Sequence, residues 1–439
     1  MRKRILVRGP VLSRSGYGEQ ARFAVRSLKE YEDRYDIYII PTNWGQLSWT
    51  WEDTEERRWI DAIIEKTVLY ESQNRNIPGS QKYDISLQVT IPNEWDNNLA
   101  AYNVGYTAGI ETDRVSPLWI QKCHEMNKII VVSNHAKDVF HNSSYAVNDQ
   151  QGNLIQNLRI IKDDINHPEI ISVNYPVKET KTQNFDYKFS TKFNFLTISQ
   201  WGPRKNLEST IGWFVEQFRE KSDVGLVVKA SIQNTSNIDK EMTKQRLENL
   251  LNSDRLKDRK CKIYLLHGDM TEEEMNGLYQ HKSIKGFINL AHGEGFGLPM
   301  FEAAYHKLPV IAMGWSGHVD FLYAPEKSKK SKKTKKQMVP YFGKVNHNLG
   351  QVQPYAVWKG VIEENSLWAY PVEKSYKAVL QDVYENHKTY KKTAIDLDKY
   401  LRSKFTNANQ YKQFADAVYE KEEFNVEEWL DSLGEEVFE

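Results

Sequence analysis

Residues 286–304 combine an apolar run, a glycine-rich loop and a segment with helical apolar spacing, and this order restricts the folds open to the chain. The run at 286–290 predicts a strand, and the loop at 291–298 contains three glycines before the helical segment begins. Helix N-termini bind anions through free N–H groups, and glycines let a ligand approach the backbone closely. Glu294 lies in the loop and Glu302 in the helix. The stretch therefore predicts a site for a polyhydroxylated ligand that carries phosphate.

Short apolar runs alternate with helical segments along most of the sequence, in two successive sets. The first set predicts strands at 4–8, 37–40, 85–89, 102–106 and 128–132, and the second at 193–199, 225–229, 262–266, 287–290 and 309–312. This alternation is typical of doubly wound, mostly parallel sheets, and 439 residues exceed the size of one growing core. We expect an α/β protein with two Rossmann-like domains, residues 1–180 and 181–385, followed by helices at 386–439 that pack back toward the first domain.

The composition limits the partners and the compartment of the chain. Lys plus Arg and Asp plus Glu are equal at 59 each, which excludes a generally basic protein that coats nucleic acid over its whole surface. Cys123 and Cys261 are the only cysteines and lack metal-binding spacing, which argues against a disulfide framework and fits a reducing compartment. No apolar run approaches the roughly 20 residues that span a bilayer. We expect a soluble, cytoplasmic protein without a membrane partner.

Two further loops lie between a predicted strand and a predicted helix. The Gly-Tyr-Gly sequence at 16–18 precedes a helix expected at 19–30, and it predicts a loop for phosphate or another ligand, although tight turns use such glycine pairs routinely. Arg204 and Lys205 follow the strand expected at 193–199. Because arginine offers a planar fork of donors and lysine a compact charge, the pair predicts a diphosphate site, with two ordinary surface cations as the alternative.

The loop at 107–113 follows another predicted strand. In doubly wound sheets, ligands bind outside the carboxyl ends of the strands, where this loop is expected. Glu111 and Asp113 are therefore candidates for the side of the site that faces a second substrate. Thr112 or Asp113 equally fits a cap on the helix that follows.

The insert at 326–340 is rich in lysine. The segment from Lys327 to Lys336 contains seven lysines in ten residues. Its simplest interpretation is a solvated loop. The alternative is an arm that neutralises the phosphates of a polyanionic acceptor such as DNA.

Taken in order, these motifs resemble those of the retaining, nucleotide-sugar-dependent glycosyltransferases of the GT-B fold, especially the large family 4 group related to glycogen synthases. The resemblance rests on the loop at 16–18, on Arg204 and Lys205, and on Glu294 and Glu302 at the family's Glu-x7-Glu spacing around Gly-Phe-Gly-Leu-Pro. It is most specific over residues 190–325. The full set and the lysine insert are also similar to bacteriophage-encoded members, some of which glycosylate hydroxymethylated pyrimidines in DNA; for such a member, the location would be the host cytoplasm.

The resemblance implies transfer of a hexosyl or pentosyl group from a nucleotide-sugar, with a UDP-sugar as the expected donor, to a hydroxyl. It implies that the catalytic residues are Glu294, Arg204 and Lys205. It assigns Arg204, Lys205, Gly16 and Gly18 to the donor diphosphate, Glu294, Gly295, Phe296, Gly297 and Leu298 to the donor sugar, Glu302 to the donor ribose, and Tyr17, Glu111 and Asp113 to the acceptor side. The implied enzyme uses no metal and no cofactor besides the nucleotide-sugar, because two side-chain cations carry the phosphate charge.

One departure from the family affects the acceptor side. Many relatives carry a histidine near the reacting sugar in a loop like 107–113, and this loop contains none. The acceptor is therefore DNA in one interpretation and a saccharide or protein in another. A nucleotide-sugar epimerase or hydrolase on the same fold and a catalytically silent binding protein are the remaining alternatives.

Overall fold

The computed structural model describes residues 2–47, 53–149, 151–152, 154–179, 181–183, 185–326 and 337–419. Two six-stranded sheets organise these residues, one built before residue 173 and the other after residue 192. Every strand pair within the two sheets is parallel. The predicted α/β class with parallel sheets is confirmed. The lysine-rich run at 327–336 lies outside the described residues.

The first sheet has the strand order β2-β1-β3-β4-β5-β8, and a separate antiparallel hairpin is formed by β6 and β7. The middle strand β3 is buried along its whole length, because helices cover both faces of a parallel sheet. The elements of this half are β1 (Lys3–Gly9), α1 (Gly16–Lys29), β2 (Tyr35–Pro41), α2 (Glu55–Gln73), α3 (Gly79–Lys82), β3 (Ile85–Val89), β4 (Tyr102–Thr107), α4 (Pro117–His124), β5 (Lys128–Val131), α5 (Asn134–Asn142), β6 (Ser144–Asn148), β7 (Leu154–Arg159) and β8 (Glu169–Ser172).

The second sheet has the strand order β11-β10-β9-β12-β13-β16, and its middle strands are again buried. Its elements are β9 (Phe193–Gln200), α6 (Leu207–Gln217), β10 (Val224–Ser231), α7 (Asn237–Leu251), β11 (Lys262–Leu266), α8 (Glu272–Tyr279), β12 (Ile284–Asn289), α9 (Leu298–Tyr305), β13 (Val310–Met313), α10 (Val319–Leu322), β14 (Tyr323–Pro325), β15 (Met338–Pro340), β16 (Gly343–Val345), β17 (His347–Gln351) and β18 (Leu367–Pro371). The pairs β14–β15 and β17–β18 are short antiparallel hairpins.

The first helix begins earlier than the sequence predicted. The Ser15 hydroxyl accepts a hydrogen bond from the N–H of Gly18 (3.0 Å) and caps α1, so the helix starts at Gly16 rather than at Glu19. Gly16 and Gly18, which were expected in a loop, therefore lie in the first helical turn. Residue 18 must be glycine, because a Cβ there would lie 1.9 Å from the carbonyl oxygen of Ser13.

Three helices follow the second sheet: α11 (Glu373–Glu385), α12 (His387–Lys404) and α13 (Asn407–Val418). The last of them, α13, returns to the first half and packs on α1, with the rings of Phe23 and Phe414 5.1 Å apart. The Tyr35 hydroxyl also donates to the carbonyl of Ala415 (2.8 Å). No helix in the described part of the chain is both long and apolar enough to cross a bilayer.

A segment of the second half reaches across to the first. Residues 352–366, which connect β17 to β18 and which we call the strap, place Val361 in a core cluster with Trp119 of α4. The carbonyl of Gly360 accepts hydrogen bonds from Ser116 Oγ (2.9 Å) and from Asn93 Nδ2 (3.1 Å). The strap therefore fixes one half against the other beside the carboxyl ends of both sheets.

Candidate active site

Three loops at the carboxyl ends of β9, β12 and β13 meet at one place. The turn Pro203–Lys205 follows β9, and the N–H of His292 in the loop after β12 donates to the carbonyl of Arg204 (2.8 Å). The N–H of Gly317, after β13, donates to the carbonyl of Glu294 (2.9 Å). The parallel topology thus joins the two motifs that the sequence predicted to form one site.

The charged side chains of these loops are paired with one another. Arg204 lies 3.0 Å and Lys205 lies 2.5 Å from separate carboxylate oxygens of Glu294, whose side chain is 8% exposed. Asn289 Nδ2 donates to the same carboxylate (3.1 Å). Burial alone would raise the pKa of Glu294, but the charges of Lys205 and Arg204 outweigh it and lower the pKa to about 2. Glu294 is therefore ionised, and it holds both cations in place.

The backbone of the glycine loop offers hydrogen-bond donors beside this cluster. Gly297 adopts a positive φ of 95° and caps α9 at its N-terminus. The N–H groups of Gly295, Phe296 and Gly297 have no hydrogen-bond partner within the described residues. The Phe296 side chain points into the core, where its ring lies 5.1 Å from Tyr175 and 4.9 Å from Phe321. An anion at this helix start would meet N–H groups and two cations together.

The loop after β4 approaches the glycine loop from the opposite half. Glu111 Oε1 lies 3.2 Å from a guanidinium nitrogen of Arg204, so Arg204 is shared between Glu111 and Glu294. The approach is so close that a Cβ at Gly293 would lie 2.2 Å from the carbonyl oxygen of Glu111. The structure thus brings the predicted acceptor-side residue Glu111 into contact with the predicted donor-side cation.

The other two acceptor-side candidates hold backbone in place. The Tyr17 hydroxyl is 2.9 Å from Thr107 Oγ1 and accepts from the N–H of Ala108 (3.3 Å), and burial raises its pKa. Asp113 Oδ1 accepts from the N–H of Leu367 (2.7 Å), while the N–H of Asp113 donates to the carbonyl of Leu367 (2.9 Å). Asp113 therefore ties the loop to the start of β18, directly after the strap; the alternative of a helix cap is wrong, since Ser116 caps α4.

The predicted diphosphate and ribose residues lie in two different surroundings. Gly16 has open space where a Cβ would stand, whereas Gly18 is packed against Ser13.

The carboxylate of Glu302 accepts from the Tyr279 hydroxyl (2.8 Å), and with Leu298 it lines a small cavity shared with Lys178 and α1. Burial raises the pKa of Glu302 to about 7, although Lys178 and the Tyr279 hydrogen bond oppose it. Glu294 is thus charged and Glu302 half-protonated near neutral pH.

Several contacts across the two halves were missed from the sequence. Lys178, two residues before the predicted end of the first domain, lies 2.7 Å from both Glu19 of α1 and Glu272 of α8. Asp320 accepts from the N–H of Asn134 (2.8 Å). Neither contact could be predicted from a local sequence pattern, because each joins polar residues that are far apart in the sequence and come together only in the folded chain. Within the described residues, no group of three or more His, Cys, Asp or Glu side chains is placed to hold a metal ion.

Comparison with solved structures places this arrangement in a known fold. Sucrose-phosphate synthase from Thermosynechococcus elongatus superposes with a TM-score of 0.56 over 99% of this chain and 100% of its own, at 10% identity. Anabaena Alr3699/HepE, solved in complex with UDP and glucose, gives a TM-score of 0.54 over 95% of this chain and 99% of its own, also at 10% identity. The chain has the GT-B fold. The fold class predicted from the sequence is therefore confirmed.

Comparison with curated sequences gives a match over a shorter part of this chain. The serotype-specific mannosyltransferase WbdA of Escherichia coli is 32% identical over 118 residues, which are 27% of this chain and 13% of that protein. The chain thus spans about an eighth of the length of the curated relatives it matches. No family model matches the sequence.

Proposed function

We propose that this protein is a glycosyltransferase that moves a sugar from a UDP-sugar to a hydroxyl acceptor with retention of configuration. The observation that carries the proposal is the cluster of Arg204, Lys205 and Glu294 beside three unpaired N–H groups at the start of α9. Two cations and a helix N-terminus suit a diphosphate, and a fixed carboxylate suits the hydroxyls of a sugar. The partial match to a mannosyltransferase and the GT-B neighbour solved with UDP and glucose both support this proposal.

In the proposed reaction the protein stabilises the leaving group. Negative charge develops on the departing UDP during the reaction. Arg204, Lys205 and the N–H groups of the glycine loop stabilise this charge from the positions that they already occupy around the bound diphosphate. The bond between the sugar and the phosphate oxygen breaks, and the acceptor oxygen forms the new bond through an oxocarbenium-like transition state. The proton of the acceptor hydroxyl passes to the departing phosphate oxygen. Attack on the same face, as in family 4, gives retention. Glu302 would accept hydrogen bonds from the donor ribose.

Donor binding requires the cations to change partners. Both cations contact Glu294, and Arg204 also contacts Glu111, so an incoming diphosphate replaces carboxylates that already balance the charge. The free energy of donor binding is then a difference between two sets of ion pairs. A site of this kind binds an anion without ever exposing two uncompensated buried cations.

A donor and acceptor panel tests the proposal. The protein is incubated with UDP-, GDP-, ADP- and dTDP-sugars together with oligosaccharides, peptides and hydroxymethylated DNA, and products are identified by mass spectrometry. We expect transfer from a UDP-sugar, an α-linked product from an α-linked donor by NMR, and a loss of about 10²–10³ in kcat for Lys205→Ala. Lys240→Ala, which changes an exposed lysine in the first turn of α7, is the matched control. Unchanged turnover in Lys205→Ala contradicts the proposal, and donor consumption that yields an epimer or free sugar indicates an epimerase or hydrolase.

For the acceptor we propose hydroxymethylated pyrimidine in DNA, as in the bacteriophage-encoded enzymes that the motifs resemble. The support is the charge of the segment Lys327–Lys336, which connects the antiparallel strands β14 and β15. A run of seven lysines is suited to neutralising the phosphates of a duplex.

Charge removal tests the DNA proposal. Because the N–H of Glu326 donates to the carbonyl of Gln337 (2.9 Å), the ends of the segment are already joined and its lysines can be changed without opening the fold. Replacing all seven lysines by glutamine is expected to weaken DNA binding and to reduce its dependence on salt. Replacing Ser328, Ser331 and Thr334 by alanine is the control. Equal salt dependence in both variants would leave a saccharide or protein as the acceptor.

A further inference from the structure

The strap carries two large aromatic side chains that the rest of the fold does not cover. Tyr355 is 74% exposed and Trp358 is 53% exposed, and Trp358 is the only exposed tryptophan in the part of the chain that the structure describes. By contrast, Trp368, in the strand β18 that follows the strap, is fully buried. Large exposed apolar patches mark binding sites, and two aromatic side chains three positions apart on one segment can build such a patch.

The backbone beneath these two side chains is fixed. Trp358 and Ile362 exchange two backbone hydrogen bonds (3.0 and 2.7 Å) around a turn in which Gly360 has a φ of 79°. The Gly360 carbonyl is held by Ser116 and Asn93, as described above. Tyr355 belongs to the 3₁₀ helix Pro354–Ala356, which lies against the turn that carries Arg204. The two rings therefore stand on a rigid segment beside the proposed donor site.

A buried polar atom lies at the same place. Gln353 Oε1 is buried and has no hydrogen-bond partner within the described residues, while Nε2 of the same amide lies 3.4 Å from Nε2 of His292 in the glycine loop. Buried acceptors in native structures almost always have a donor. An amide oxygen takes the hydrogen of a hydroxyl. The position beside the glycine loop is where a ligand hydroxyl would supply it.

The charge of the strap distinguishes between possible ligands. Lys359 is its single cation, while Glu363 and Glu364 are anionic, so the strap has a net negative charge. A nucleic-acid strand needs cations along its phosphates beside the rings that stack on its bases. A neutral sugar ring needs only an apolar surface and hydrogen-bond partners. The strap therefore suits a saccharide and does not suit a polyanion.

We propose that Tyr355, Trp358 and Gln353 form a saccharide-binding subsite, in which the rings stack on a sugar and the amide oxygen accepts from its hydroxyl. The proposal rests on the glycosyltransferase function proposed above, since it places this sugar on the acceptor side of the cleft. It does not depend on the lysine-rich run at 327–336. The subsite favours a saccharide as the acceptor, which is the alternative to the DNA acceptor proposed above, and the charge-removal experiment on the lysine-rich run decides between the two.

The test separates the subsite from the donor site. Binding of immobilised neutral oligosaccharides and of single-stranded DNA is measured for the full-length protein, for Tyr355→Ala, Trp358→Ala and the double variant, and for Trp358→Phe. UDP affinity is measured by calorimetry on the same samples. We expect oligosaccharide binding by the wild type, a loss of about tenfold for each alanine, retention in Trp358→Phe, and an unchanged UDP dissociation constant.

Each other outcome has a distinct meaning. If no neutral oligosaccharide binds the wild type, or if the double variant binds as well as the wild type, the subsite proposal is wrong although UDP still binds. If single-stranded DNA binds and the double variant loses it, the rings stack on bases and the saccharide assignment is overturned. If UDP fails to bind every protein, the proposed function fails instead. Gln353→Ala, which truncates a single amide, checks the polar contact and is expected to weaken oligosaccharide binding severalfold.

Discussion

The turn Pro203–Lys205 and the 3₁₀ helix Pro354–Ala356 lie against each other, yet the side chains that they carry differ in charge and exposure. Arg204 and Lys205 are largely buried, and carboxylates of the same chain balance their charges. Tyr355, in the neighbouring helix, is uncharged and mostly in solvent. The side-chain charges of the donor side are thus balanced without a ligand, whereas the strap side leaves apolar surface that a ligand would cover. Binding on the first side exchanges ion pairs, and binding on the second adds buried area.

The largest expected effect follows from removing the carboxylate that balances the charges of Arg204 and Lys205 on the donor side. Glu294→Gln leaves Arg204 and Lys205 without their shared counter-charge, and removing one partner of a buried charge cluster costs about 3–5 kcal/mol. We expect the free energy of unfolding to fall by about that amount in the absence of ligand. Urea unfolding with and without UDP measures it, because a diphosphate that replaces the carboxylate should restore part of the loss.

Two controls accompany the Glu294 variant. Glu364→Gln removes an exposed carboxylate of the strap and should leave the free energy of unfolding unchanged. Stabilisation by UDP that is equal in the wild type and in Glu294→Gln would show that UDP does not interact with this charge cluster.

The second prediction concerns the pH dependence of stability. The pKa of Glu302 is raised to about 7 from 4.5, so between these values the unfolded chain releases a proton that the folded protein keeps. Stability conferred by the neutral carboxyl is complete below pH 4.5 and is lost as the pH rises to 7. The shift corresponds to about 3 kcal/mol. Glu302→Gln, which stays neutral, should therefore gain stability relative to the wild type between pH 4.5 and 7.

Measurement of unfolding free energies at several pH values checks this difference. Ionisation of Glu294 gives the opposite sign, because its pKa is lowered to about 2, so Glu294 keeps its contribution throughout the same range. If the difference in unfolding free energy between Glu302→Gln and the wild type stays constant from pH 4.5 to 7, the pKa of Glu302 is not raised in the folded protein. The two glutamates of one motif thus respond to pH in opposite ways.

The sequence predicted the parts of this site that depend on local patterns. Strands, glycine loops and helix starts recur at short spacing, so the positions of Arg204, Lys205 and Glu294 at the carboxyl ends of strands followed directly. The role of Asp113 did not follow, because its partner Leu367 lies 254 positions away. The raised pKa of Glu302 also required the fold, since it arises from burial of the carboxyl beside Tyr279. The start of α1 was missed because the Ser15 cap was not recognised.

The third prediction sharpens the link between the two sides. Glu111→Gln removes the carboxylate that competes with a ligand for Arg204, while the other partner, Glu294, remains. A partly exposed ion pair contributes about 1 kcal/mol, so UDP should bind roughly fivefold more tightly to the variant. Calorimetry measures the dissociation constant, with Glu125→Gln, an exposed glutamate paired with Lys122, as the control. Weaker UDP binding would mean that Glu111 supports the donor instead of competing with it.

The smallest expected effect on ligand binding concerns how firmly the strap is held. Asn93→Ala removes one of the two side-chain donors to the Gly360 carbonyl, and Ser116 Oγ still satisfies that oxygen. The variant also removes Asn93 Oδ1, which accepts a hydrogen bond from Nε1 of the buried Trp119. Each lost hydrogen bond contributes about 1 kcal/mol, so we expect stability to fall by about 2 kcal/mol, half of it from the strap contact. Oligosaccharide affinity should fall by no more than about fivefold, because the rings of Tyr355 and Trp358 would be less well fixed before the ligand arrives. UDP affinity should not change, since the donor side is held by its own ion pairs. A parallel loss of UDP affinity would show that the strap also positions Arg204, and the two sides would then be a single unit.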